Sequence, residues 1–427
     1  MTEFEKELHG IFPPLEPESG EGGGEGGGEG GGEGGGEEES ELTPADRESA
    51  AKPMLGRISS CFDSYMSIYV SLEDKQLEEV TAKLVGEESW EASPSGRADS
   101  RVFTSSKELF IALKRSFKRG TALNMPATLL ELLKVWSKQL RLYSKRLQEQ
   151  LPPIAQPVDP SQPPVCSLEL SAQQKVCSVV NTCEYCSETC AQLEESLAKA
   201  MGDEWGAKVD LGPVKEDFQG GVTAGMRALV VALETRCAPA LTAMTKVNWA
   251  TLEELGDEAS PYMLEAVSRS REMMPQLGES LMPLYVRFFC DKFVAAFVPR
   301  LIGTIYRCKR IGDVGAQQMQ LDIGTLKQTL LELPALGQAS AMASYTKLVA
   351  AQVGSAEQVL KLVQTPEDLI EETVEELQGS GISIDLQKIL ELKGLKKADS
   401  ERLLEAYRAG LGAADTKIKE LFNFKKG

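Results

Sequence analysis

The chain has 427 residues, 42% of them hydrophobic, enough to bury one large core or a few smaller ones. Its formal net charge of −18 is concentrated: residues 1–50 carry fifteen acids against Lys6 and Arg47, leaving −5 for the rest, which excludes a general nucleic-acid binder. No apolar run reaches the ~20 residues of a membrane span and no basic, then hydrophobic leader opens the chain, so it reads as cytosolic, with no signal peptide or transmembrane segment.

Residues 17–41, PESGEGGGEGGGEGGGEGGGEEESE, have nothing apolar to bury and maximal backbone entropy to lose, so residues 1–52 are expected to be a disordered acidic segment. A phosphate-cradling loop would need a preceding strand and a Lys, Ser or Thr after the glycines, and the repeat has neither. From Pro53 onward the apolar period is helical and no stretch alternates as a strand does. Residues 53–151 are expected to form a helical bundle. Within it, ATLLELLKVWSKQLRLYSKRLQEQL (127–151) sets Leu129, Leu133, Trp136, Leu140, Tyr143 and Leu147 on one seam, with Pro126 as its start and Pro152 and Pro153 as its stop. At ~1.5 Å per residue that helix would run roughly 37 Å.

The proline-rich residues 152–165 read as a linker, and a second bundle is expected over 166–365, with helix resuming near Ser171. The most apolar stretch, LMPLYVRFFCDKFVAAFVPRLIGTIYRC, is interrupted by Arg287, Asp291, Lys292, Pro299 and Arg300 and reads as a buried helix pair rather than a membrane span. Ser355-x-x-Gln358 resembles a capping box, and Thr365-Pro366-x-Asp368 reads as an N-cap with a first-turn proline. Gly379, Gly394 and Gly410 mark helix ends. Residues 366–427 should therefore form a small C-terminal helical unit of three helices, near 366–378, 384–393 and 399–409. The fold class expected is all-α, an elongated rod of stacked helical bundles with a disordered Gly/Glu-rich N-terminal segment.

KVCSVVNTCEYCSETC (175–190) holds four of the nine cysteines and could be taken for a zinc or redox site. On a helix, however, Cys177 and Cys190 stand about 20 Å apart and Cys183 and Cys190 about 10 Å, which Zn–S bonds of ~2.3 Å cannot gather. Cys183, Cys186 and Cys190 instead fall on an apolar stripe with Val176, Val179, Val180, Leu193 and Leu197 and read as packing. A thiol-based zinc or redox protein using the Cys177 to Cys190 cluster is the alternative reading. His9 is the single histidine and lies beside the glycine-rich segment, so imidazole-based catalysis and histidine metal sites lack their central residue. Acidic pairs such as Glu253/Glu254 and Glu371/Glu372 read as solvated helix faces. The chain is expected to be no enzyme, with no catalytic, cofactor-binding or metal residues and no cofactor. Lys134, Lys138, Arg141 and Lys145 form a basic stripe beside the Leu/Trp seam, preceded by Lys114, Arg115, Lys118 and Arg119. It reads either as a solvated face or as a docking surface for an acidic partner or anionic lipid.

Several segments taken in order, GRISSCFDSYMSIYVSLEDKQLEEVTAKLVGEESW, VCSVVNTCEYCSETCAQLEESL, CAPALTAMTKVNW, VGAQQMQLDIGTLKQTLLELP, SYTKLVAAQVGSAEQVLKLV and LQKILELKGLKKADSERLLEAYRAGL, resemble the C-terminal half of the vacuolar protein sorting-associated protein 53 family. The likeness runs from about Gly56 to Leu411. It implies a subunit of the Golgi-associated retrograde protein (GARP) and endosome-associated recycling protein (EARP) tethering complexes, built of stacked helical bundles. It further implies vesicle tethering in retrograde transport from endosomes to the trans-Golgi network, with the other GARP/EARP subunits, SNAREs and small GTPases as partners. The protein would sit peripherally on the cytosolic face of Golgi and endosome membranes. Family members carry a coiled-coil N-terminal half through which subunits assemble; Met1 begins near its end, at TEFEKELHGIF, which implies a fragment lacking the assembly region. The Gly/Glu repeat is an insertion that the resemblance does not account for, and Cys183 and Cys190 stand where other small or polar residues are expected.

Overall fold

Helical period in the sequence becomes helix in space. The structure, a computed structural model, describes residues 59–91, 101–123, 125–157, 162–370, 372–373, 385–395 and 400–405. The expected disorder over 1–52 and the signals at Gly379 and Gly410 lie outside them. Among the described residues there is no strand, only an antiparallel bridge between Ala155 and Val165 inside the proline-rich segment. The helices are α1 (Asp63–Glu87), α2 (Thr104–Ala122), α3 (Pro126–Gln148), α4 (Leu170–Gly206), α5 (Gly212–Met244), α6 (Pro261–Ser280), α7 (Pro283–Ile305), α8 (Asp313–Leu336), α9 (Ala343–Gln364) and α10 (Leu386–Lys393). Proline opens α3, α6 and α7, where its missing N–H belongs to a donor no helix could satisfy internally. The described residues fall into two compact units, each assembled from segments distant in sequence: parts of 1–87, 107–143 and 189–214 form the first, and parts of 88–106, 144–188 and 215–427 the second.

In the first unit, α2 meets α3 where Gly120 faces Leu129 and Leu132 and Phe117 lies edge-on to Trp136; Leu109, Leu113, Leu133 and Leu140 of the two helices are buried too. The seam read from sequence on α3 is buried at every position. The indole N–H of Trp136 donates to Ser116 Oγ (3.0 Å), which donates to Glu73 Oε2 of α1 (2.8 Å). Apart from Leu77, the buried residues of α1 are Glu73 and Thr81, while Tyr65, Ile68 and Leu72 face outward. Helix α1 is thus attached mainly by polar contacts.

In the second unit, α7 buries one face, where Phe289, Phe293 and Phe297 stack one turn apart, and exposes Leu284, Phe288, Lys292, Ala295 and Pro299 on the other. Helix α8 packs on α6, α7 and α9, and α9 on α7 and α10. The loop before α6 is pinned to α8 by side chains: Gln318 accepts from Gly256 N–H and donates to Glu258 O, and buried Asp322 accepts from Ser260 N–H and the Tyr262 hydroxyl, both at 2.6 Å. Lys393 closes the last turn of α9 by donating to Val363 O and Thr365 O. Gly394 ends α10 in the left-handed conformation (φ 74°) that favours glycine.

Three local expectations change. The apolar stretch expected as a helix pair is one helix, α7, with Pro299 inside it. Proline removes a single backbone bond there, and burial of Phe297, Val298, Leu301 and Ile305 around it offsets a cost of about 3 kcal/mol. Ser355 is no cap: it lies within α9 and donates to Ala351 O one turn back. Thr365 ends α9 instead of starting the next helix, its hydroxyl donating to Lys361 O; a short 3-10 turn, Glu367–Leu369, follows. Of the remaining terminal elements, α10 matches the helix expected at 384–393 and residues 400–405 are helical, the rest lying outside the described residues.

Candidate functional site

Two groups of residues stood out in the sequence, and the structure gives each a distinct environment. The cysteine run lies in the first half of α4, where residues 176–183 are buried all round, not along one stripe. Burial on every side brings in polar residues, whose donors find local acceptors while Asn181 Oδ1 has no hydrogen-bond partner. Thr182 Oγ1 accepts from Phe103 N–H (3.0 Å) and donates to Ser178 O, while Asn181 Nδ2 donates to Ser280 O (2.8 Å) and Arg101 O. Cys177, Cys183, Cys186 and Cys190 form no disulfide and have no exposed surface. Burial pushes the Cys177 thiol far above the ordinary range and Cys183 up to about 12, with the Glu184 carboxylate adding to it at Cys183. At neutral pH Cys177 and Cys183 are protonated, and a thiol is neither a good nucleophile nor a metal ligand until it loses its proton. Among the described residues no three His, Cys, Asp or Glu side chains gather as a metal shell. Fully buried, Cys177 and Cys183 serve as packing. Cys183 Sγ lies 2.7 Å from where a Cβ on Gly221 would stand, so the thiol fills the space α5 leaves open by carrying glycine.

The basic stripe is exposed along α3. Its middle is nonetheless engaged: Lys138 Nζ lies 3.1 and 3.0 Å from the two oxygens of Asp74 and 3.3 Å from Glu78, both on α1. The Asp74 hydrogen bond first, then Glu78, raises the Lys138 pKa. Lys134 pairs with Glu131 one turn back at 2.7 Å, and Lys145 is exposed in the last turn. Arg119, named with the preceding basic cluster, is turned the same way: its guanidinium holds both oxygens of buried Glu73 at 2.7 Å. What sequence reasoning missed is the acidic side of this arrangement. Glu73, Asp74 and Glu78 stand on a helix of weak amphipathicity, and only their spacing of one and four residues hinted that they share a face. Lys138 thus fastens α1 to α3 and Arg119 fastens it to α2, while Lys114, Arg115 and Lys118 of α2 are exposed.

Neither group assembles a reacting centre, so likeness to other proteins carries more of the reading. Residues 317–395 match the family described as the C-terminus of vacuolar protein sorting-associated protein 53. Over 356 residues, 82% of its length, the chain is 35% identical to vacuolar protein sorting-associated protein 53 A of Arabidopsis thaliana and covers 43% of that protein. The chain is similar to the vacuolar protein sorting-associated protein 53 family. A Caenorhabditis elegans homolog is 27% identical over 380 residues, covering 84% of this chain and 47% of the relative. The chain spans about half the length of the curated relatives it matches. Among solved structures, the C-terminal domain of the exocyst subunit Sec6p superposes with a TM-score of 0.63 at 11% identity, covering 88% of this chain and 95% of that one. At that identity the likeness is one of helical fold. The segment matching the family C-terminus includes Gln318, Asp322, Lys393 and Gly394, the residues that pin the loop before α6 and latch α10. No helix among the described residues is long and apolar enough to cross a membrane.

Proposed function

We propose that this chain is a helical, non-enzymatic scaffold subunit of a vesicle-tethering complex, acting in retrograde transport from endosomes to the trans-Golgi network. The observation that carries the reading is the 35% identity over 356 residues to the Arabidopsis thaliana protein, whose name ties it to vacuolar protein sorting. The fold shared with an exocyst subunit domain supports the scaffold part of it. Scaffolding asks for stable helices and exposed contact faces, and the described side chains are spent that way: thiols in packing, carboxylates in pinning loops and fastening α1. On this reading the partners are the other GARP and EARP subunits, SNAREs and small GTPases, with peripheral attachment to the cytosolic face of Golgi and endosome membranes. The face of α3 bearing Lys134, Lys138, Arg141 and Lys145 would meet an acidic partner, Lys138 doing so by exchanging Asp74 and Glu78 for the partner's carboxylates.

The test is a segment exchange. The matched part of the Arabidopsis thaliana protein is replaced by residues 56–411 of this chain in plants lacking that protein, and delivery of a vacuolar cargo is scored. Restored delivery is expected. A chimaera that accumulates to normal levels, yet leaves the cargo missorted, would refute the equivalence.

A further inference from the structure

The Gly/Glu repeat has no role in the tethering reading, while the fold offers a surface of opposite charge. Helix α2 carries five Lys or Arg against Glu108, and α3 five against Glu131, so this helix pair is strongly cationic within a chain of net −18. Intramolecular pairing accounts for part of that charge: Arg119 is held by Glu73, Lys138 by Asp74 and Glu78, and Lys134 by Glu131. Lys114, Arg115 and Lys118 are different. They sit within about one turn on the exposed side of α2, beside exposed Ile111, and among the described residues none of the three has an ion-pair partner. Three adjacent cations repel one another. Solubility does not account for them, because in an acidic chain they lower the magnitude of the net charge.

A polyanion is covalently attached nearby. Residues 16–48 contain twelve acids and Arg47, with glutamates at 21, 25, 29, 33 and 37 separated by glycines. From Glu41 to Ser59, where the 3-10 turn leading into α1 begins, eighteen residues can span up to ~60 Å. Along α1 the rise from Ser59 to Glu73 is about 21 Å, and Glu73 already touches Arg119, the neighbour of Lys118. The tether is thus longer than the gap. Linked binding of this kind acts at an effective concentration on the order of millimolar, so weak contacts suffice.

We infer that residues 16–48 dock electrostatically on the Lys114, Arg115 and Lys118 face of α2 and shield it from other polyanionic surfaces. The contact needs no fixed geometry, only opposite charge within roughly the 8 Å Debye length of physiological salt, and it weakens as salt rises.

The experiment uses the full chain and a zero-length carbodiimide cross-linker, which joins carboxylates to lysine amines, read by peptide mass spectrometry. Cross-links from the repeat glutamates to Lys114 and Lys118 should exceed those to the exposed controls Lys83 and Lys199 by at least fivefold at 50 mM NaCl and fall to parity at 500 mM. Equal yields at low salt would overturn the proposal, as would cross-links joining isotopically heavy to light chains in a mixture, since the occupant would then be a second copy. A second arm measures flotation with phosphatidylserine vesicles. The variant E21Q/E25Q/E29Q/E33Q/E37Q should bind severalfold more than the wild type, and adding K114Q/R115Q/K118Q should remove the gain. Wild-type binding equal to that of the glutamine variant would show the face already open to lipid and overturn the shielding.

Discussion

Replacing Gly225 with alanine tests how closely α4 and α5 approach. A Cβ at Gly225 would stand 2.5 Å from Val180 Cγ2, with Leu151 and Val176 methyls at 3.5 and 3.7 Å. Carbon atoms pack best at about 3.5–4.0 Å, so the overlap is roughly an ångström. Val180 cannot swing aside cheaply, because a β-branched side chain in a helix has one strongly preferred rotamer, and it has no exposed surface. Overpacking of this kind costs about 1–3 kcal/mol. Against it stands the gain of ~0.5–1 kcal/mol when alanine replaces glycine within a helix. The steric term wins, and Gly225→Ala should be destabilised by about 1–2 kcal/mol. Val180→Ala alone loses two buried methyl groups, worth about 1.6 kcal/mol before any cavity cost. The double variant has room for the new methyl and should be more stable than the sum of the singles by about 1 kcal/mol. The assay is urea unfolding of the full-length protein, comparing midpoints where the slope is unchanged. A stabilised Gly225→Ala, or additivity within ~0.3 kcal/mol, would refute the close approach.

Two further outcomes follow from buried polar pairs. At Glu73, burial opposes the charge, but hydrogen bonds from Arg119 and Ser116 outweigh it and hold the carboxyl below the usual glutamate range. The stability it lends is present above its unfolded value near ~4.3 and disappears as pH falls through the lower folded value. Wild type should therefore lose more stability on acidification below about pH 5 than Glu73→Gln does, in unfolding midpoints taken across that range; parallel curves would count against the network. Tyr262→Phe removes a donor to the carboxylate of Asp322, which is buried on α8. That should cost about 1–3 kcal/mol and speed hydrogen exchange in the loop before α6 more than in α7.

Where a pattern in the sequence reports burial directly, it carried over to the fold. The seam on α3 from Leu129 to Leu147 and the glycine-terminated helix at 386–393 are of this kind, since apolar spacing and the left-handed end are local properties. Proline misled at residue 299 because its cost is local while the compensation, burial of the Phe297, Val298, Leu301 and Ile305 face of α7, is tertiary. Stripe logic likewise undercounted α4: Cys177, Asn181 and Thr182 lie off the apolar face, and only contacts from Phe103 and the Ser280 turn make that side interior. For the basic stripe, sequence showed the cations but not the acids of α1 that engage Lys138 and Arg119, because pairing across 64 and 46 residues leaves no periodic trace.

Eight of the nine cysteines are interior and Cys61 is exposed, which gives the molecule a built-in gauge of its own opening. A short pulse of alkylating reagent would add one mass increment to the intact protein and further increments only as each buried sulfur is uncovered. Cys177 and Cys183 would report on α4, Cys237 on α5 and Cys290 on α7. The order in which these helices loosen under heat or denaturant could then be read from the natural chain, with no foreign probe introduced.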